Sequence, residues 1–315
     1  MGTTDTSTLV DGLLARLAEG YVFPERAAHA ATLIRSRLER GAYADAAGEE
    51  LCDLISADLL EACDDKHLRL LWHEAPISTP DEAELHGALR EQIRLENHGV
   101  RRVELLHDNI GLIELTIVPE PSTGGPNLSA AMQLVENTDA LIFDLRPTRG
   151  GSPDGVVFLA SYLFPGGEVH LSDFITGPSG PTRQYWTSAH VPGPRYLDRP
   201  VYILTSSTTF SGGEALAYDL QALGRAIVVG ETTRGGAHPS IMVPLTEQIE
   251  LRLPVARSIN AVTGGNWEGV GVQPDVAVAA ADALEVAQEA ALKARSGAAS
   301  AKPGTRTVST ALPRL

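Results

Sequence analysis

The sequence predicts an α/β fold in which a core of short strands alternating with helices follows a small helical unit. Two features carry this reading. From Asn109 onward, the apolar runs IGLIELTIV, DALIFDLR, VYILTS and AIVVGE are separated by helix-like stretches, and strands alternating with helices argue an α/β core. Before them, three apolar stripes recur at helical spacing within the first seventy residues. A length of 315 residues at 43% hydrophobic content suffices for one large unit, or for a core with a smaller companion.

In chain order, Ser7 can cap a helix whose stripe is Leu9, Val10, Leu13, Leu14 and Leu17, and Gly20 ends it. Pro24 suits a first helical position and opens a second helix with Ala28, Ala31, Ile34 and Leu38, ended by Gly41. Leu51, Leu54, Ile55, Leu59 and Cys63 mark a third, giving a three-helix domain over residues 1–71. Residues 72–108, punctuated by Pro76, Pro80 and Gly99, are expected to cross to the main body as an extended ribbon. The α/β core then spans 109–295, its last helix covering about Ala281 to Ala294, and 296–315 reads as a disordered tail.

Forty acidic against twenty-five basic side chains give a formal charge of −15, and no Lys/Arg cluster stands out to neutralise phosphates. Nucleic acid and anionic membrane surfaces are therefore unexpected partners. Lacking a long apolar run or a leader-like amino terminus, the chain is expected to be soluble and cytoplasmic. Cys52 and Cys63 fall eleven residues apart in one helix, about 16 Å along its axis, too far for a disulfide. No histidine or cysteine spacing suggests a metal, and no glycine pattern suggests a nucleotide, so no cofactor is expected.

The chemistry centres on TTFSGGEAL. Ser211 follows an apolar strand and precedes an apolar-periodic helix, and Ser211 with Glu214 makes the S-x-x-E of a capping box. Two glycines directly after the serine weaken a purely structural reading, because glycine is a poor helix former that permits close approach to the backbone. A hydroxyl beside exposed N–H groups at a helix amino terminus suits acyl transfer. A second pair, Gly150 and Gly151 in DLRPTRGGSPDG, follows another strand and serves either as a turn or as a source of amides for an oxyanion.

The blocks DALIFDLRPTRGGS, RPVYILTSSTTFSGGEALAYDLQALGRAIVVGETTRGGAHP and INAVTGGNWEGVGVQPDVAV, preceded in order by YVFPERAA, DDKHLRL and IGLIELTIV, resemble the tail-specific (carboxyl-terminal processing) serine protease family. They are most similar to its branch related to the interphotoreceptor retinoid-binding protein repeat and the tricorn protease core. The resemblance covers about Tyr21 to Val278 and implies a crotonase/ClpP-like spiral of strands and helices. Family members often carry a PDZ domain, which takes roughly 90 residues. Only about forty separate His67 from Asn109, so none is expected.

The resemblance further implies Ser211 as nucleophile, with the Gly212 amide and one of the Gly150–Gly151 pair as oxyanion hole. The lysine that follows the serine by twenty-five residues in tail-specific proteases is replaced here by Gly236. A serine–lysine dyad is thus absent. The tricorn-like pattern instead implies His67 as base and Glu268 as its orienting carboxylate, with Lys66 standing where that pattern has a relay serine. His238, twenty-seven residues past Ser211, is the rival base, and Arg149 and Arg234 beside the glycine pairs are candidates for a substrate carboxylate. The expected partner is a peptide or a small acyl substrate. The competing expectation is a non-hydrolytic binder of an apolar ligand, an isomerase or a cyclase on the same fold.

Overall fold

The computed structural model describes residues 6–77, 91, 93–166, 168–177 and 180–300. The expected helices form as α1 (Thr6–Gly20), α2 (Pro24–Glu39) and α3 (Gly48–Cys63). Cys52 and Cys63 are both free and buried. The apolar stripes of these helices do not close on themselves alone. They pack on a three-stranded antiparallel sheet of order β1 (Arg69–Trp72), β10 (Ile249–Pro254) and β9 (Ser240–Pro244), sharing Leu70, Ile249, Leu251 and Leu253. The expected 1–71 unit is thus completed by strands contributed from more than 160 residues downstream.

The central sheet has six strands in the order β12 (Val276–Ala277), β8 (Ile227–Gly230), β7 (Val201–Thr205), β4 (Ala140–Asp144), β3 (Ile110–Leu115), β2 (Val100–Leu106). All pairings are parallel except β2 with β3. Side chains alternate across a strand. Leu141 and Phe143 therefore face α4 (Pro121–Leu134), α5 (Pro153–Ser161) and α6 (Gly212–Ala222), whereas Ala140 and Ile142 face the alanine stripe Ala283, Ala287, Ala291 of α7 (Ala283–Ser300). A third sheet, β11 (Ala256–Asn260), β5 (His170–Thr176) and β6 (Thr182–Trp186), stands beside the core.

Two expected boundaries shift. Residues 100–106, assigned above to the 72–108 ribbon, form an edge strand of the central sheet because β2 folds back antiparallel on β3. Residues 78–90 and 92 of that ribbon lie outside the described residues. The last helix continues to Ser300, its alanine-rich sequence outweighing Gly297, so residues 296–300, expected in the tail, are helical. Residues 301–315 lie outside the described residues.

Asp219, on α6, is only 2% exposed and accepts a hydrogen bond from Asn260 Nδ2 at 2.8 Å. Burial pushes its carboxyl up to about 7. An unfolded aspartate releases its proton near pH 3.9, so the folded form holds a proton that the unfolded form has lost. Stability therefore falls as pH rises from about 4 to about 7. Asp219→Asn should lack this fall: from pH 5 to 8, urea unfolding should show the wild type losing on the order of 3 kcal/mol relative to the variant. Parallel pH dependences would show that Asp219 is ionised in the folded chain.

Candidate active site

Adjacent parallel strands β4 and β7 end at the same edge of the sheet, which brings the turns after Asp144 and Thr205 together. The two glycine pairs meet there. A Cβ on Gly150 would lie 3.3 Å from Ser211 Cβ, and one on Gly212 would lie 2.8 Å from the Gly151 nitrogen. Gly151 itself has φ 143° and would drive a Cβ to 2.1 Å from the Val118 carbonyl oxygen. The turn is pinned to the chain leaving β3 by the Val118 amide donating to Gly150 O and the Ser152 amide donating to Val118 O, both at 2.8 Å. Among the described residues, these bonds leave the Gly151 and Gly212 N–H groups without an acceptor.

Ser211 sits at φ 49°, ψ −114°, a backbone conformation that costs a non-glycine residue on the order of 1–3 kcal/mol. Its neighbours hold it there. The Phe210 amide donates to Thr148 O at 3.1 Å, and the Ser211 amide donates to Glu214 at 2.7 Å. Glu214, fully buried, also accepts from Thr233 Oγ1 and from the amides of Gly235 and Gly236. Read from sequence as part of a cap, this carboxylate clamps the helix that Ser211 leads to the loop after β8. Burial raises its pKa, opposed by those four donors.

His67 arrives from the other side. α3 ends at Asp64 in the left-handed conformation (φ 46°), and the chain passes through buried Asp65 and His67 into β1. The imidazole stacks on Phe210 with ring centroids 4.6 Å apart, and its Nδ1 is buried without a partner. Burial first, then the charge of Arg252, lowers its pKa to about 3. His67 and Ser211 line one cleft of about 190 Å³ together with Gly151, Gly212, Arg252 and Trp267. A Cβ at position 236 would lie 2.7 Å from His67 Cε1 and 2.3 Å from Phe210 Cε2, so the two rings occupy the space where a lysine side chain would begin.

His238 lies outside this cleft, in a second cavity lined also by Phe23, Arg26, Asp64 and Glu268. Its Nδ1 is 2.8 Å from Asp65 Oδ2 and 3.5 Å from Glu268 Oε2. Glu268, expected to orient His67, instead accepts from the amides of Lys66 (3.4 Å) and Ala237 and faces His238. The His67 ring thus has no carboxylate on Nδ1. The reason is local: with the relay position occupied by Lys66, no side chain bridges Glu268 to the ring. Burial raises the Glu268 pKa; burial would also raise Asp65, but hydrogen bonds from His238 and the His67 amide hold Asp65 below the usual range. Donor atoms of Asp65, His238 and Glu268 lie within 4.8 Å of one another, a grouping the sequence spacing did not reveal. Their carboxylates already accept from Tyr21 Oη and three main-chain amides, which favours a hydrogen-bonded network over a metal.

Of the two arginine candidates, Arg149 pairs with Glu96 at 2.5 Å in a separate depression. Arg234 lies over the Phe210 ring at 4.9 Å. The arginine that lines the cleft is Arg252, which the sequence reading missed. No local motif marks it, and it reaches the cleft only through the pairing of β10 with β1.

Gly236→Ala tests the crowding beneath the imidazole. Displacing His67 by up to about an ångström should lower turnover about 100-fold, and the overpacking should cost about 1–3 kcal/mol of stability. Unchanged turnover would show that the ring has no set position.

The profile of peptidase family S41 matches residues 109–278, more than half of the chain. Carboxyl-terminal-processing peptidase 2, chloroplastic, of Arabidopsis thaliana is 27% identical over 208 residues, covering 64% of this chain and 39% of that protein. The chain therefore spans about two fifths of the length of that curated relative. Among solved structures, a lipoprotein from Streptococcus agalactiae superposes with a TM-score of 0.62 at 16% identity, covering 93% of this chain and 98% of the other. The tricorn protease superposes with a TM-score of 0.56 at 13% identity, over 94% of this chain and 37% of that one. These two share the fold. With its two glycine turns, its serine and the matched profile, the chain belongs to peptidase family S41.

Proposed function

We propose that the chain is a serine peptidase in which Ser211 attacks the substrate carbonyl, His67 accepts its proton, and the amides of Gly212 and of Gly151 or Gly150 hold the oxyanion. The observation that carries this reading is one cleft containing the hydroxyl, the imidazole and both glycine turns. The carbonyl oxygen becomes negative as the Ser211 Oγ–carbon bond forms, and preformed main-chain donors stabilise that charge without reorganising. His67 then returns the proton to the leaving amine, and water repeats the sequence to release the acyl group.

A base must be neutral to accept a proton: burial keeps the His67 ring neutral, and by lowering its pKa also makes it a weaker base than an imidazole in water, so its proton transfer relies on the oxyanion donors stabilising the product of attack. Glu268 acts as a positioning residue, holding the main chain at Lys66 and Ala237 on either side of the ring. Crowding at position 236 supports His67 rather than a lysine as the base. His238, bound to Asp65 and Glu268 in the neighbouring cavity, supports that network.

A fluorophosphonate probe tests the proposal. The wild type should be labelled covalently, Ser211→Ala should not be labelled, and His67→Gln should be labelled at least about 100-fold more slowly. Labelling that survives in Ser211→Ala would show that another residue is the nucleophile, and a folded wild type that is never labelled would favour a non-hydrolytic ligand-binding role.

A further inference from the structure

In the β1–β10 ladder, Arg69 and Arg252 are direct cross-strand partners. Like charges placed opposite each other in an antiparallel pair are destabilising. Nothing nearby offsets them: among the described residues neither forms an ion pair, and Arg69 Nε is buried without an acceptor. Arg252 Nε donates to Ser240 Oγ at 2.9 Å, which fixes the guanidinium, and among the described residues its two terminal nitrogens have no acceptor. Arg234 adds a third charge close enough to depress both: burial first, then neighbouring guanidinium charge, lowers the pKa of Arg252 and of Arg69. In a chain of net charge −15, three unneutralised arginines beside one cleft make a local reversal of sign.

We propose that Arg252, supported by Arg69 and Arg234, forms an anion subsite of the cleft that holds a carboxylate of the peptide substrate. This rests on the serine peptidase reading and names the substrate feature that the site selects. A planar fork of donors held by Ser240 matches a carboxylate bidentately. An arriving carboxylate relieves the repulsion between Arg69 and Arg252, so that a cost built into the free enzyme becomes selectivity for an acidic ligand. It also offsets the charge that, after burial, most lowers His67, strengthening the base when an acidic substrate is in place. The carboxylate comes either from an Asp or Glu side chain or from a peptide carboxyl terminus.

Competition against a neutral fluorophosphonate separates these cases. The labelling rate of the full chain is measured with N-acetyl-Ala-Ala-Glu-amide, its Gln counterpart, N-acetyl-Ala-Ala-Ala as free acid, and the amide of that peptide. At least one acid should half-protect at a concentration roughly tenfold below its neutral counterpart, and Arg252→Gln should bring that ratio close to one. A Glu-over-Gln preference identifies a side-chain carboxylate, and an acid-over-amide preference a terminal one. Equal protection by acids and neutral peptides in a wild type that labels normally, or a preference that survives Arg252→Gln, overturns the subsite alone. A wild type that does not label removes the peptidase reading beneath it. Arg252→Gln should also raise the thermal midpoint by relieving the cross-strand repulsion, so the folded variant is available for the comparison.

Discussion

The contact of two glycine turns at the carboxyl edge of neighbouring parallel strands is the constraint on which the site depends. Because β4 and β7 are hydrogen-bonded to each other, their exits cannot separate, and the backbones of Gly150–Gly151 and Ser211–Gly212 approach until no side chain fits between them. That closeness leaves two N–H groups free beside a hydroxyl. The unusual backbone of Ser211 is maintained by the buried carboxylate of Glu214, whose other bonds reach the loop that passes beneath His67. The Ser211 hydroxyl, the amides and the floor under the imidazole are thus tied to a single sheet edge.

The second half of the site comes from a separate layer. His67 lies between α3 and β1, and β1 is held by β10, whose own chain leads directly from the loop containing Gly236 and His238 through β9. Helices α1 to α3 need this small sheet to bury their apolar stripes, so folding the amino-terminal unit also positions His67. The same pairing sets Arg69 against Arg252 and places positive charge beside the cleft. Stability and chemistry share these contacts: hydrophobic burial holds the layer in place, and the same strand pairing sets Arg252 in the cleft wall.

Much of this was legible in the sequence because it is local. Strand and helix periodicities located the central sheet, the three leading helices and the serine at a helix start, and two glycine pairs after apolar strands marked the turns. His67 required the family motif, since a lone histidine after a helix carries no signal of its own. What stayed hidden depends on pairing between distant segments. The strand at Val100–Leu106 is mixed in polarity, and its place is set by β3 rather than by its own pattern. Arg252 looks like any polar residue of an alternating strand until the register places it opposite Arg69. Glu268 was expected beside the His67 ring, but a carboxylate's partner is decided by the chain packed against it, and here the Lys66 and Ala237 amides claim it.

The central claim is that the imidazole of His67 is enclosed, neutral and in the same cleft as Ser211. Its titration, followed by the NMR shift of the His67 Cε1 proton and assigned with His67→Gln, tests this most directly. The account predicts that the resonance keeps its neutral position as pH falls from about 8 to about 5, as a ring with a pKa of about 3 must. A midpoint near the unperturbed value of about 6.5 would place the ring in water and contradict the account.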